Sequence, residues 1–522
     1  MHGRLKVKTT AEQQEEKRKE REKKSAIFLQ LMKGIFEKRG KKDEFEATLK
    51  LSEKLLSGNP DVYTLWNIRK EIFVEMQKQE NIDKLLHMEL KFLQSCLHVN
   101  PKSYGVWNQR QFVMLTMEKP DWHEELRLCN LFLEYDERNF HCWDYRRFVV
   151  KNSMIAPEDE FQFTTKKISE NFSNYSAWHN RSKLLPLINP DPNQPDRVAE
   201  DTLLKEFELA QNAFFTDPND QSAWFYQRWL LGRKPQAPRL LSLSLLRSSS
   251  TVIASFSLPV NIALCNSFTM NNETKDIQWK SIESLHNGAN VIASCVWISK
   301  ISELEKFDDD ITIKLSFPEV KSCPECCQLT LSKGSNRAQL CWTVDNLSTD
   351  DENMFSDTHT AAKTSVLENE LESCKMLLEE EPENKWTMLT IIYLMRALGG
   401  EGYIKDTEEL LTRLIKTDSM RAGYYKDLRS KYRIENELQR LKKTQDNLTV
   451  VNLSGKELTS FPYSQYFTSC ETIDLSDNCL KDISFCSLLP GVENIILKNN
   501  KVGDKNVEEM SSMLEWKINI TV

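Results

Sequence analysis

Lys102 stands in "NPKSY", two residues before Tyr104, at a place the sequence marks as the start of a helix. The first N–H groups of a helix lack partners inside it and carry the positive end of its dipole, so anions gather there. A lysine at that point can hold a phosphate or diphosphate as a compact point charge; a plain solvated side chain is the other reading. The remaining candidates offer less. Cys323, Cys326 and Cys327 cluster in "SCPECCQ", yet a zinc site takes about four ligands, usually from two knuckles, and no second knuckle follows, only the lone Cys341. His123 opens an amphipathic run and His179 adjoins a tryptophan, neither with a nucleophile beside it. The sequence has no GxxxxGK followed by Ser or Thr, no GxGxxG after a strand, no HExxH and no GxSxG. By residue type alone the chain has no catalytic centre of its own.

What would position Lys102 is a repeat. "NPDVYTLWNIR", "NPKSYGVWNQR" and "DERNFHCWDYR" share Asn or Asp, a Trp seven residues on, and an Arg three further. The tryptophans are Trp66, Trp107, Trp143, Trp178 and Trp224, at spacings of 41, 36, 35 and 46. Asn59, Asn100, Asp136, Asn171 and Asp217 precede them; Arg69, Arg110, Arg146 and Arg181 follow in four copies, and the fifth has Gln227 there and Arg228 next. Such spacings fit two helices per unit of a helical solenoid. The Asn/Asp turn reads as the end of one helix and the cap of the next. Trp then fills the gap between neighbouring helix pairs, and Arg reaches carbonyls or carboxylates of the adjacent turn. These residues build the array.

Around the array the composition changes. Residues 1–10 read as a flexible arm, 11–39 as a leading helix, and 11–234 as the first part of the helical-repeat domain. Runs such as "TVIASFSL", "VIASCVWI", "ITIKLSF" and "AQLCWTV" alternate as strands do, and predict an inserted β-sandwich of Ig-like size over 235–350. Helices resume over 363–445 with Trp386, and with Tyr425 seven residues after Asp418. Over 446–522, "VNLSGKEL", "IDLSDNCL" and "IILKNNKV" place Val451, Ile473 and Ile495 at an interval of 22, with Asn478 and Asn500 at the turns of leucine-rich repeats. The fold class expected is multidomain and mainly α: a helical-repeat solenoid with an inserted β-sandwich and a C-terminal leucine-rich region.

The totals exclude some functions. With 522 residues, 40% hydrophobic, 28% charged and a net charge of −8, the chain lacks the cationic excess of a nucleic-acid binder. No run approaches the roughly 18 apolar residues of a membrane span. Neither a secretory signal nor a prenylation box stands at its ends. Thirteen cysteines, mostly in apolar segments, fit a reduced, cytoplasmic setting.

Five copies of the Asn/Asp-x6-Trp unit, four of them with Arg three residues on and one reading "NPKSYGVWNQR", resemble the α subunits of protein prenyltransferases over residues 55–235 and, less closely, 363–432. The two added segments, the opening "MHGRLKVKT" and "LEEEPENKW" are similar to the branch of that family that acts on Rab GTPases presented by an escort protein. The resemblance implies a heterodimer in which α curls around a β subunit that carries the zinc and the isoprenoid pocket, with geranylgeranyl diphosphate as lipid substrate. It also implies that Lys102, beside Tyr104, reaches the diphosphate leaving group. His2 on its short basic arm is then a further ligand for the partner's open zinc position, intramolecular once the dimer has formed. Two other readings stand beside this one: a non-catalytic interaction scaffold, and the α subunit of a farnesyl or type I geranylgeranyl transferase.

Overall fold

A computed structural model describes residues 11–78, 81–191, 194–231, 238–262, 267–283, 292–301, 304, 309–317, 320, 326–341, 364–444, 449–514 and 516–522. The chain forms two compact units. One runs to Phe214 and adds Asp220–Trp229; the other comprises Phe215–Asn219 and Leu230–Val522.

The first unit is a series of helix hairpins. After the leading helix α1 (Ala11–Lys38) come α2 (Phe45–Gly58), α3 (Tyr63–Gln77), α4 (Asp83–Val99), α5 (Tyr104–Thr116), α6 (Trp122–Tyr135), α7 (Phe140–Ser153), α8 (Pro157–Glu170), α9 (Tyr175–Ile188), α10 (Glu200–Thr216) and α11 (Gln221–Leu231). The even-numbered helices show why the chain coils here. In α2, Phe45, Leu49, Ser52, Leu55 and Leu56 are buried at intervals of three and four, one stripe of an amphipathic helix. Start signals sit where the physics wants them. Asp121 accepts from the Glu124 N–H at the head of α6, and α8 opens on Pro157 with Glu158, Asp159 and Glu160 in its first turn.

The repeated Asn/Asp does one of its two expected jobs and not the other. Asn59, Asn100, Asp136 and Asn171 do end α2, α4, α6 and α8, each backbone N–H returning to the carbonyl four residues earlier. They do not cap the following helices, because each side chain accepts instead from the N–H two residues on, in Asp61, Lys102, Arg138 and Ser173. The N-caps are Val62, Ser103, Asn139 and Asn174, three residues later. A side chain committed to its own turn cannot also reach the next helix.

In the second unit, helices Thr364–Glu380, Lys385–Ala397, Ile404–Thr417 and Ala422–Thr444 follow the β segment. Among the described residues that segment forms two sheets. One orders Arg337–Cys341, Leu240–Leu246, Thr251–Val260, Ser294–Lys300 and Lys280–Ser281, the other Cys327–Leu331, Ile311–Leu315, Ser267–Met270 and Glu273–Asp276, with all neighbours antiparallel. Leu243, Val252, Ala254, Phe256 and Trp297 of the first share one core with Phe268, Ile311, Ile313 and Leu329 of the second. Cys327 is buried in a strand and Cys326 is exposed, while Cys323 lies outside the described residues.

At the C-terminus Val451, Ile473 and Ile495 stack in register as neighbours in a parallel sheet. A fourth strand, Asn519–Thr521, adds Ile520 to the row; it escaped the sequence reading because its interval is 25 rather than 22. Asn478 and Asn500 turn their side chains inward to the backbone: each accepts from the N–H 20 residues earlier and donates to carbonyls of its own coil and the one before. This region packs against the β segment. Leu488 and Trp516 meet Ile253, Ile282, Val296 and Ile298, and Thr468 bonds Ser242 and Ser255.

Candidate functional site

The tryptophans lie in α3, α5, α7, α9 and α11 and are all at most 4% exposed. The indole N–H of Trp66, Trp107, Trp143 and Trp178 donates to the carbonyl six residues earlier, in Pro60, Pro101, Glu137 and Phe172, at 2.8–2.9 Å. Each ring therefore clamps the turn before its own helix. Trp66, Trp107 and Trp143 also meet Phe92, Phe132 and Phe163 of the next hairpin. Gly105 explains one tight spot, since a Cβ there would lie 2.7 Å from the Trp66 ring.

The arginines do not stay within their turns. Arg69, Arg110, Arg146 and Arg181 form forked ion pairs with Glu89, Glu125, Glu160 and Glu206 on the first helix of the next hairpin, all side chains at most 5% exposed. Each glutamate also accepts from a residue two beyond the following Trp, namely Gln109, Tyr145, Asn180 and Tyr226. One carboxylate thus joins three helices of two repeats. Burial alone would lower the pKa of Arg110, but its bonds to Glu125 hold it above the usual guanidinium value. Burial, reinforced by Glu125 and Glu206, raises Tyr145 and Tyr226 well above the usual phenol. The sequence reading missed the glutamates. Their signal was a constant interval, each standing eighteen residues before a Trp. In the first copy that place is Thr48, which no arginine of an earlier repeat precedes.

Lys102 occupies the turn between α4 and α5. Its side chain is 61% exposed and its ammonium lies 3.0 Å from Asp136 Oδ2, across to the next hairpin. The head of α5 differs from those of α7 and α9. Asn139 and Asn174 cap their own helices, whereas Ser103 makes no side-chain cap and gives its hydroxyl to the Pro60 carbonyl at 3.2 Å. The opening N–H groups of α5 therefore keep their affinity for an anion, with a lysine beside them. Tyr104, the first residue of α5, is exposed and stands edge-on to the ring of His141 at 4.2 Å. Burial, aided by the Lys102 charge and opposed by Asp144, lowers the His141 pKa and keeps that imidazole neutral at pH 7. The arrangement offers one exposed cation, a helix start without a side-chain cap and an aromatic wall. It contains no nucleophile or base poised for bond making.

His2 lies outside the described residues. Among the described residues, no three of His, Cys, Asp and Glu come together as metal ligands, and no helix is long and apolar enough to cross a membrane. His179 stacks on Tyr175 and His123 lies in the first turn of α6, both away from Lys102 in the repeat pattern.

The Asn/Asp turn, the Trp that clamps it and the cross-repeat Arg define a prenyltransferase-type repeat. The family model described as "Protein prenyltransferase alpha subunit repeat" matches residues 86–117, 122–153, 157–188 and 203–234. The chain is 40% identical over 535 residues to the geranylgeranyl transferase type-2 subunit alpha of Mus musculus, spanning 96% of this chain and 92% of that one. It is 42% identical over 491 residues to that of Sus scrofa, covering 92% and 84%. The same-named protein of Schizosaccharomyces pombe is 44% identical over 246 residues, 44% of this chain and 71% of its own. The chain belongs to the family of geranylgeranyl transferase type-2 alpha subunits.

Proposed function

We propose that this chain is the α subunit of a heterodimeric Rab geranylgeranyltransferase, inactive alone. With its β partner it transfers geranylgeranyl from geranylgeranyl diphosphate to C-terminal cysteines of Rab GTPases presented by an escort protein in the cytoplasm. In the reaction the C1–O bond to diphosphate breaks as a C1–S bond forms; the thiol gives up its proton and the bonding electron pair leaves with the diphosphate. Negative charge grows on the departing oxygen, so a cation placed there stabilises the transition state more than the bound substrate. Lys102 supplies that cation, with Tyr104 beside it. The carrying observation is the exposed ammonium at the uncapped start of α5.

The described residues offer the implied zinc no ligand set, and this chain's share is charge, scaffold and docking surface. His2, on the arm of residues 1–10, is proposed as a resting ligand of the partner's zinc. The helical parts, 11–234 and 363–445, are read as the two parts of one helical-repeat domain. The 235–350 insertion is read as an Ig-like β-sandwich, and 446–522 as leucine-rich repeats, supported by the inward Asn478 and Asn500.

Purification with and without a type-2 β subunit tests the proposal. Transfer of geranylgeranyl to an escort-bound Rab is expected only from the pair. No activity from the pair would favour the scaffold reading, and activity from this chain alone would overturn the assignment of zinc and lipid to the β subunit. Transfer of farnesyl to a lone peptide would favour the other family branches.

A further inference from the structure

At each turn of the array the Asn or Asp needs one side-chain oxygen, which accepts from the N–H two residues on. Asparagine does this as well as aspartate: Asn59, Asn100 and Asn171 hold their turns with bonds of 2.9–3.2 Å, and Asp136 holds its own at 3.2 Å. The negative charge of Asp136 therefore has no task in the turn. Its second oxygen faces Lys102, 3.0 Å away. Neighbouring turns are joined by neutral amide donors, Asn100 to Asp61 at 2.9 Å and Asn171 to Glu137. At the Lys102 turn the polarity is reversed, with the cation upstream and the carboxylate downstream. Side chains 61% and 37% exposed form an ion pair that adds little to stability. It is well suited to being exchanged.

We propose that Asp136 is the resident counter-ion of Lys102, which the lipid diphosphate displaces on binding and which takes the ammonium back when diphosphate leaves. This rests on the reading that Lys102 contacts the diphosphate, and adds to it a device that limits product affinity. While the site is empty, Asp136 neutralises Lys102 and holds it over the boundary between two repeats. A diphosphate, with several negative charges, outcompetes one carboxylate for the ammonium. With the lysine drawn away, the uncovered Asp136 repels the guest at close range. Affinity is thereby held down for substrate and product alike, and inorganic diphosphate is released rather than retained.

The variant Asp136→Asn tests this in the α/β heterodimer, since asparagine keeps the turn and removes only the charge. Inorganic diphosphate is titrated calorimetrically, and KM for geranylgeranyl diphosphate is measured beside kcat. The expected result is diphosphate binding roughly threefold to tenfold tighter, the size of one removed surface like-charge contact, with a lower KM and no gain in kcat. In a Lys102→Ala background the same substitution should shift diphosphate affinity by less than half as much. If Asp136→Asn leaves affinity unchanged or weaker while Lys102→Ala weakens it, the counter-ion role is wrong and the lysine contact stands. If Lys102→Ala binds diphosphate as well as the native pair does, the lysine contact itself fails. A drop in thermal midpoint with unaltered diphosphate affinity would assign Asp136 to the turn alone and overturn the proposal.

Discussion

Arg110 grips Glu125 through two parallel bonds of 2.6 Å, one from Nε and one from Nη2, with the two side chains only 4% and 2% exposed. The pair ties α5 to α6, and Tyr145 of α7 donates to the same carboxylate at 2.6 Å. Removing one partner strands a buried charge, while replacing both with apolar groups of similar volume does not. Glu125→Ala is expected to cost about 3–5 kcal/mol of unfolding free energy by urea denaturation. Arg110→Met with Glu125→Leu should recover most of that loss. A double variant as unstable as the single one would mean that the pair contributes specific bonding rather than charge neutrality.

These pairs also show what the sequence could and could not display. Trp and Arg were legible because they share one helix and recur at fixed offsets. Each glutamate keeps its distance of 20 residues to Gln109, Tyr145, Asn180 or Tyr226, since those contacts lie within one hairpin. From arginine to glutamate the distance varies as 20, 15, 14 and 25, because the connection between hairpins varies in length. A contact across a loop of changing length leaves no period to read. Lys102 was visible as a departure from the repeat; its partner Asp136 was not, because the charge hides in a position that the repeat already explains.

Tyr145 and Tyr226 are held neutral by burial and by Glu125 and Glu206. A raised phenol pKa leaves the folded state binding more protons than the unfolded state once pH passes the unfolded value of about 10. Stability is therefore complete below that pH and declines as pH rises above it. In an alkaline titration, part of the tyrosinate absorbance should appear only together with loss of helical circular dichroism. Full ionisation of all tyrosines in the folded chain would contradict the buried placement.

Gly105→Ala puts a methyl group against the Trp66 ring, where the ideal Cβ lies 2.7 Å from Cδ1. The ring must shift, loosening its bond to the Pro60 carbonyl. A loss of about 1–3 kcal/mol is expected by denaturation with Trp fluorescence as readout. Gly58→Ala, at the end of α2 with no atom within 4 Å of its Cβ, is the control and should change stability little.

Deleting residues 449–522 would bare Ile253, Ile282, Val296 and Ile298, which Leu488 and Trp516 cover. The truncated chain should self-associate in light scattering, while Ile253→Ser with Val296→Ser lessens that association, Ile434, Leu438 and Leu441 being bared as well. A truncated chain that stays monomeric without those changes would show that this face tolerates water.

This chain is expected to give its enzyme one cation for the departing diphosphate. Single-turnover rates of geranylgeranyl transfer by the α/β heterodimer, native and Lys102→Ala, address it most directly, with dimer integrity checked by gel filtration. The expected rate for Lys102→Ala is roughly tenfold to a thousandfold lower, with Rab and β-subunit binding intact. An unchanged rate in an intact heterodimer would contradict it, leaving Lys102 an ordinary surface residue of the array.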